Sequence, residues 1–308
     1  MPLTVIASPR FADHLTPPGH PERPERAEAM AAVVERFRAT GGRVEEPRAA
    51  TDADLLRVHT AEHVKTITAT RGKAVMLDPD TFTSPESEEV ARLAAGAVLA
   101  GVDAVLDGPA GARAIAVVRP PGHHAEADRA MGFCFYNNIA VGAAYARSRG
   151  CARVAILDYD VHHGNGTQWA FYEDPTVLFV SSHQYPYYPG TGDAHETGRG
   201  AGLGYTLNLP LEAGARDTDV LDRYQREALP TLERFRPELL MISAGFDAHE
   251  RDPLAGCRMT TEGFRRLTAL LVGAADRLCE GRVVLVTEGG YDLVALGDCL
   301  EAVIDVCA

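Results

Sequence analysis

The chain has 308 residues, of which 46% are hydrophobic and 24% are charged, a balance typical of a folded globular protein. Acidic residues outnumber basic ones by 43 to 30, which gives a net charge of −13. This balance argues against nucleic acid as a partner, because phosphates require a basic surface. Six cysteines without a CxxC pair predict free, buried thiols in a reducing compartment. The sequence shows neither a secretory leader nor a long apolar stretch, so we expect a cytoplasmic protein that does not bind membranes.

Short β-branched runs alternate along the chain with longer amphipathic runs. The predicted strands are Leu3–Ala7, Arg113–Val118, Arg153–Asp158, Thr176–Ser181, Tyr205–Leu209, Glu238–Ser243 and Arg282–Thr287. The predicted helices are Glu22–Arg38, Glu86–Leu106, Ile139–Arg149, Asp219–Phe235, Thr261–Cys279 and Leu293–Val306. Continuously apolar strands such as RVAIL, each followed by a loop and a helix, indicate a parallel sheet covered on both faces. We therefore expect residues 1–308 to form a single α/β domain.

Polar clusters directly follow several of the predicted strands. They are RPPGHHA after Val118, DYDVHHGNGT from Asp158, SAGFDAH at Ser243 and TEGGY at Thr287. Open parallel sheets bind ligands at the edge where the carboxyl ends of their strands meet. The clusters are therefore predicted to converge on one site.

The segment DYDVHH has the spacing of a metal site. In extended chain alternate residues point the same way, so Asp160 and His162 can reach one ion together. A catalytic zinc takes three protein ligands and keeps one position open for water. Asp247 in SAGFDAH, at the end of another strand, is the best candidate for the third ligand. A single Asp-x-His is more often part of a solvated loop. The polar clusters at the neighbouring strand ends favour a metal site instead.

The remaining clusters supply groups for proton transfer and charge stabilisation. His123 and His124, presented by a turn at Gly122, can take a proton from water and protonate a leaving amine. The alternatives are that they are further metal ligands or a buried structural pair. Asp158 is a candidate partner for them, and Tyr291 after two glycines can stabilise an oxyanion beside the metal or simply pack.

Together RPPGHHA, GFCFYNN, DYDVHHGNGT, SAGFDAH and EGGY resemble the histone deacetylase family, nearest to its class II branch. The resemblance extends from HPERPER near the start to EGGY near the end. It implies the arginase/deacetylase fold, a three-layer α/β domain around an eight-stranded parallel sheet. The sequence pattern predicts seven strands, so one strand has been missed. The carboxylates that give arginases a second metal ion are missing, so one ion is inferred.

The resemblance also implies roles for individual residues. Asp160, His162 and Asp247 match the zinc ligands, His123 and His124 the catalytic histidines, Tyr291 the transition-state tyrosine, and Asp158 the carboxylate behind His123; Asn165 stands where class I members have an acid behind the second histidine. Phe133, Gly132 and Tyr188 match the walls of the acyl-lysine channel, Asp80 the rim residue that holds the substrate backbone, and Arg26 an arginine of an internal cavity. Ser181, with main-chain groups of Asp158, Asp160 and His162, resembles a structural potassium site.

The inferred reaction is metal-dependent hydrolysis of a linear amide, with Zn²⁺ as the expected cofactor, Fe²⁺ as its alternative and K⁺ as a structural ion. The predicted substrate is acylated lysine in a protein or peptide, because the short loop after Phe82 favours an open channel. An acetylpolyamine amidohydrolase is the enzymatic alternative. A non-catalytic acyl-lysine-binding module is the distant one, since no ligand, tandem histidine or tyrosine has been lost.

Overall fold

A computed structural model describes residues 2–308. The strands are β1 (Leu3–Ala7), β2 (Arg43–Glu45), β3 (Met76–Asp78), β4 (Thr81–Phe82), β5 (Arg113–Val117), β6 (Val154–Asp158), β7 (Val177–Gln184), β8 (Thr206–Leu211), β9 (Leu239–Ala244) and β10 (Val283–Thr287). The helices are α1 (Glu25–Ala39), α2 (Asp52–Leu55), α3 (Ala61–Thr68), α4 (Ser87–Leu106), α5 (Asn138–Ser148), α6 (Asn165–Ala170), α7 (Asp217–Arg223), α8 (Leu229–Phe235), α9 (Thr261–Leu278) and α10 (Leu293–Cys307).

Within residues 2–308, eight strands form one parallel sheet in the order β2-β1-β5-β10-β9-β6-β7-β8. Alternate strand residues enter two separate cores, so that Ile115 and Leu285 face one side while Ala114 and Val284 face the other. Helices α1, α9 and α10 cover the first side, and α4 and α5 cover the second. The predicted α/β sheet with both faces covered is confirmed.

The strand that the pattern missed is β2, which pairs with β1 at the edge of the sheet. Its three residues, RVE, are exposed or half-buried and include one apolar side chain. So short and polar a segment has no periodicity to detect. The pattern also missed the two-stranded hairpin of β3 and β4 and the short helices α2, α3 and α6.

The predicted helix Asp219–Phe235 is divided in the structure. Helix α7 passes through a wider π-helical turn at Tyr224–Ala228 into α8, and Pro230 lies at the start of α8. A proline inside a regular α-helix removes one hydrogen bond and collides with the preceding turn, and a π-turn is one way to accommodate this. All six cysteines are free and buried, as predicted. Among residues 2–308, no helix is both long and apolar enough to cross a membrane.

Candidate active site

Asp160, His162 and Asp247 meet at the carboxyl edge of the sheet, beyond the ends of β6 and β9. Each offers one ligand atom, and these atoms lie within 4.8 Å of one another. Nδ1 of His162 is 3.2 Å from Oδ1 of Asp160 and 3.0 Å from Oδ2 of Asp247. All three residues are buried. The structure thus brings the three predicted ligands together.

Main-chain donors hold the two carboxylates in place. The N–H of Gly289 donates to Oδ2 of Asp160 at 2.8 Å, and the N–H of Val161 donates to Oδ1 of Asp247 at 2.8 Å. Such outer hydrogen bonds orient metal ligands. A Cβ at Gly289 would lie 2.1 Å from Oδ2 of Asp247. This glycine therefore makes room for the ligand carboxylates.

The charges of this cluster suit a divalent cation. Burial, together with the neighbouring Asp160, raises the pKa of Asp247 to about 7. Burial also disfavours ionised Asp160, but the imidazoles of His123 and His162 outweigh it and hold its pKa well below the usual range. Two buried carboxylates with oxygens within 4.8 Å of each other repel, and a divalent ion would supply the compensating charge. Two oxygens and one imidazole nitrogen are also ligands that Zn²⁺ accepts.

The tandem histidines lie side by side next to the ligands, with ring centroids 4.0 Å apart. Nδ1–H of His123 donates to Oδ2 of Asp158 at 2.9 Å, and Nδ1–H of His124 donates to Oδ1 of Asn165 at 2.8 Å. Nε2 of His123 is 3.9 Å from Oδ1 of Asp160. Both rings therefore have Nδ1 occupied, and Nε2 is left for proton transfer. The partners are those that the family resemblance implies.

The orientation of Asn165 is set by a residue that the sequence analysis did not single out. Its Nδ2 donates to Oε1 of Glu126 at 2.7 Å, so its Oδ1 is the atom that accepts from His124. Glu126 also forms an ion pair with Arg129 at 3.0 Å. The signal was its place two residues after His124 in PPGHHAE. The chain of hydrogen bonds behind His124 thus ends on an acid, Glu126, which acts through Asn165.

The two imidazoles have opposite electrostatic surroundings. Burial opposes protonation of His123, but the carboxylates of Asp158 and Asp160 outweigh it and raise its pKa to about 10. Burial also lowers the pKa of His124 well below its ordinary value, helped by the neighbouring His123 and His162. Asn165 is uncharged, so it does not reverse this effect. Such a pair presents one charged and one neutral ring to the same site.

Tyr291 lies on the loop that follows β10, and its main chain is held on both sides. Its N–H donates to Oδ2 of Asp252 at 2.7 Å. The buried Arg26 donates through Nε to the carbonyl oxygen of Gly290 at 2.7 Å, and its guanidinium carbon lies 4.9 Å from the centroid of the Tyr291 ring. Asp252 was missed, although it stands close after Asp247 in FDAHERDP. The main chain that carries the phenol is therefore fixed, and the ring packs on the guanidinium of Arg26.

Aromatic rings flank the histidines and Tyr291. The ring of Phe133 lies 5.9 Å from that of Tyr291, and the ring of Tyr188 lies 5.2 Å from that of His124, both edge to face. Phe133 has a φ of 69°, an uncommon conformation for a side chain other than glycine. One ring thus lies beside Tyr291 and the other beside His124, and the resemblance expects both as channel walls.

Gly132 lies where the channel wall meets the tandem histidines. A Cβ there would lie 2.4 Å from Cδ2 of His124, so any side chain would displace the imidazole. Its φ of 57° also favours glycine. The position predicted from the resemblance is therefore one that only glycine fits.

Asp80 lies in the turn between β3 and β4, beside the Phe133 segment. The hydroxyl of Thr81 donates to its Oδ1 at 2.9 Å and accepts the N–H of Phe133 at 3.1 Å. Burial raises the pKa of Asp80. Burial, followed by the charge of Asp80, raises the pKa of Tyr188. The carboxylate is thus linked through Thr81 to the Phe133 wall, and its contact with a substrate backbone stays a prediction.

Ser181 of β7 is paired in register with Asp158 of β6. Its hydroxyl is hydrogen-bonded to Nδ1 of His183 at 2.9 Å, and the carbonyl oxygen of Asp158 accepts from the hydroxyl of Tyr224 at 3.3 Å. Two of the predicted potassium-binding residues, Ser181 and Asp158, are therefore adjacent, and binding of K⁺ there stays a prediction.

Comparison with known proteins agrees with this geometry. The family model described as the histone deacetylase domain matches residues 20–307. The chain belongs to the histone deacetylase family. Members of this family are hydrolases, and the assignment made from the motifs is confirmed.

Relatives of this histone deacetylase family member align over most of its length. It is 42% identical to the histone deacetylase-like amidohydrolase of Pseudomonas aeruginosa, over 93% of this chain and 76% of the relative. It is 38% identical to a probable deacetylase of Archaeoglobus fulgidus, over 94% of this chain and 81% of the relative. The crystal structure of the HDA15 HD domain superposes with a TM-score of 0.93 at 38% identity, covering 99% of this chain and 89% of that chain. The sheet and its covering helices are therefore those of the family.

Proposed function

We propose that this family member is a zinc-dependent amidohydrolase that removes acetyl or other acyl groups from lysine side chains of proteins and peptides. The range 1–308 would serve as its single catalytic domain. The observation that carries the proposal is the convergence of three metal-ligand side chains, two oriented histidines and one held tyrosine at a single edge of the sheet. Each of these groups has a separate task in hydrolysis of an amide.

Asp160, His162 and Asp247 would hold the ion. Once bound, a divalent ion there supplies a Lewis acid for the acyl carbonyl and makes a nearby water more acidic. His123 and His124 move protons through Nε2, because their Nδ1 atoms are already engaged by Asp158 and Asn165. One ring takes a proton from the attacking water, and one returns a proton to the departing lysine amine.

Tyr291 stabilises the charge that develops on the carbonyl oxygen during attack. Its hydroxyl is a hydrogen-bond donor, and Asp252 and Arg26 hold its position before the substrate arrives. A donor that needs no reorganisation at the moment of reaction stabilises the transition state most effectively. Burial raises the pKa of Tyr291 well above its ordinary value, so the hydroxyl keeps its proton.

The aromatic walls favour a substrate with a methylene chain. Phe133 beside Tyr291 and Tyr188 beside His124 offer apolar ring surfaces, which suits the four methylenes of a lysine side chain. Asp80 beside them would accept peptide N–H groups from the substrate backbone. An acetylated polyamine also has methylenes but no backbone amide N–H groups. Its free ammonium would pair with Asp80 instead, so the polyamine is the alternative substrate that the kinetic comparison tests.

A substrate panel under metal control tests the proposal. Acetyl-lysine peptides and acetylspermidine are compared by kcat/KM, before and after chelation and after addition of Zn²⁺ or Fe²⁺. We expect peptide hydrolysis that is lost on chelation and restored by the ion, with discrimination against the polyamine of about 10–200-fold. A tenfold or greater preference for the polyamine would overturn the substrate assignment. Full activity after rigorous chelation would overturn the proposed metal dependence. Binding of acyl-lysine without turnover would indicate a binding module.

We further propose that the protein acts in the cytoplasm and carries K⁺ as a structural ion. The support for the compartment is that all six cysteines remain free thiols, as proteins of reducing compartments keep them. The support for K⁺ is the adjacency of Ser181 to Asp158. Binding of K⁺ is tested by comparing the melting temperature in K⁺ with that in tetramethylammonium. We expect a higher value in K⁺, and equal values would contradict the potassium site.

A further inference from the structure

A buried carboxylate lies behind the active site at the end of β10. It belongs to Glu288, whose side chain is fully buried. Oε2 of Glu288 accepts the N–H of Gly122 at 2.7 Å and the N–H of His123 at 3.2 Å. Oε1 accepts the hydroxyl of Ser243 at 2.9 Å. Both oxygens are thus committed to protein donors, and neither is offered to a substrate or a metal.

The three donors belong to segments that carry different parts of the site. Gly122 and His123 open the segment of the tandem histidines, and Ser243 lies on β9, which leads to the ligand Asp247. The segment of Glu288 itself continues through Gly289, whose N–H holds Asp160, to Tyr291. One carboxylate therefore fastens together the proton-transfer group, a metal-ligand strand and the oxyanion donor.

The donors need this acceptor because they lie beyond the sheet. Strand β5 ends at Val117, so the N–H groups of Gly122 and His123 have no neighbouring strand to pair with. Leaving a buried N–H unpaired is destabilising, and a charged or strongly polar acceptor is the usual remedy. The imidazole of His123 is separately tied to Asp158. With main chain and ring held at two points, the residue has little freedom to shift.

We propose that Glu288 is a positioning residue that sets the place of His123 relative to the metal ligands and Tyr291. The inference rests on the proposed function, because it assigns His123 to proton transfer. It adds a residue that touches neither substrate nor metal and acts through the main chain of the histidine segment.

The test compares three substitutions in the zinc-loaded enzyme. Glu288→Ala removes the acceptor, and kcat on an acetyl-lysine peptide should fall about 10- to 100-fold, since a displacement of about 1 Å costs this much. KM and zinc content should stay near those of the unmodified enzyme. Glu288→Gln should restore kcat to within about threefold, because an amide can accept both N–H groups and donate to Ser243. Glu288→Asp, one methylene shorter, should lose kcat even if the alanine variant does not fold.

The neighbouring Thr287 provides a matched control. Its hydroxyl donates to the carbonyl oxygen of Val118 at 2.9 Å and accepts the N–H of Val118 at 2.8 Å. It therefore also fastens β10 to the end of β5, but without touching the histidine segment. Thr287→Val should lower thermal stability and leave kcat nearly unchanged. An equal loss of kcat in Thr287→Val would show that Glu288 merely supports the fold and would overturn the proposal.

A spectroscopic readout separates this inference from the proposed function. In protein with ¹⁵N-labelled histidine, the Nδ1–H signal of His123 reports its hydrogen bond to Asp158. The signal should move or broaden in Glu288→Ala and stay in place in Glu288→Gln and Thr287→Val. An unmoved signal together with unchanged kcat in Glu288→Ala would refute the positioning role. If the unmodified protein hydrolyses no amide, the proposed function fails, and the signal alone then decides whether Glu288 holds His123.

Discussion

Replacing Tyr291 with phenylalanine removes one hydroxyl and should leave the ring where it is. The main chain of this residue is held by Asp252, and the carbonyl oxygen of the preceding Gly290 is held by Arg26. The ring packs between the guanidinium of Arg26 and the edge of Phe133, at 4.9 and 5.9 Å. None of these contacts involves the phenol oxygen. The substitution is therefore a deletion of one hydrogen-bond donor.

Because only one hydrogen-bond donor is deleted, the expected loss of turnover can be stated. Loss of one preorganised oxyanion donor costs about 10²–10³ in turnover, or about 2.7–4 kcal/mol of transition-state stabilisation. Because charge develops on the carbonyl oxygen only during attack, the ground-state complex should lose little. Tyr291→Phe should thus lower kcat by this factor and leave KM nearly unchanged. The unchanged packing predicts a melting temperature close to that of the unmodified protein.

Steady-state kinetics on an acetyl-lysine peptide, with zinc content measured on the same samples, checks this expectation. Tyr188→Phe is the matched control, since it also removes a phenol hydroxyl, in this case from the channel wall next to His124. That variant should keep its kcat. A near-normal kcat in Tyr291→Phe would remove the residue from the mechanism, and a fall explained by lost zinc would assign it a structural role.

Three further expectations concern the metal, the rim and the pH dependence of stability. Asp247→Ala should reduce bound zinc well below one ion per chain by mass spectrometry of the metal, and two ions in the unmodified chain would contradict the single site. Asp80→Ala should raise KM for an acetyl-lysine peptide about tenfold but not for free acetyl-lysine; unchanged peptide kinetics would discard the rim role. Burial and the adjacent His63 lower the pKa of His59 to about 3, so it stays neutral when folded while the unfolded chain binds a proton below pH 6.5. Between pH 6 and pH 4, this histidine should therefore lower the free energy of unfolding by about 1.4 kcal/mol for each unit that the pH falls. In denaturant titrations, His59→Gln should remove this contribution to the pH dependence of stability.

The sequence by itself determined the sheet, because a strand buried on both faces must be apolar along its whole length. RVAIL, ELLMI and RVVLV became β6, β9 and β10, which form the middle of the sheet. Parallel strands share one carboxyl edge, so the polar clusters after them had to approach one another. For the same reason Asp160, His162 and Asp247 could be grouped before any coordinates were considered.

Only the tertiary structure decided which groups hold those side chains in place. Glu288 meets Gly122 and His123, Glu126 meets Asn165, and Asp252 meets Tyr291, each across a long stretch of chain. No local periodicity marks a side chain that satisfies a distant N–H, since such a bond depends on where two loops come to rest. The same holds for β2, an edge strand too short and polar to be recognised except by its pairing with β1. Apolar patterning determines where strands lie, whereas buried hydrogen bonds between loops are decided only once the strands have been packed.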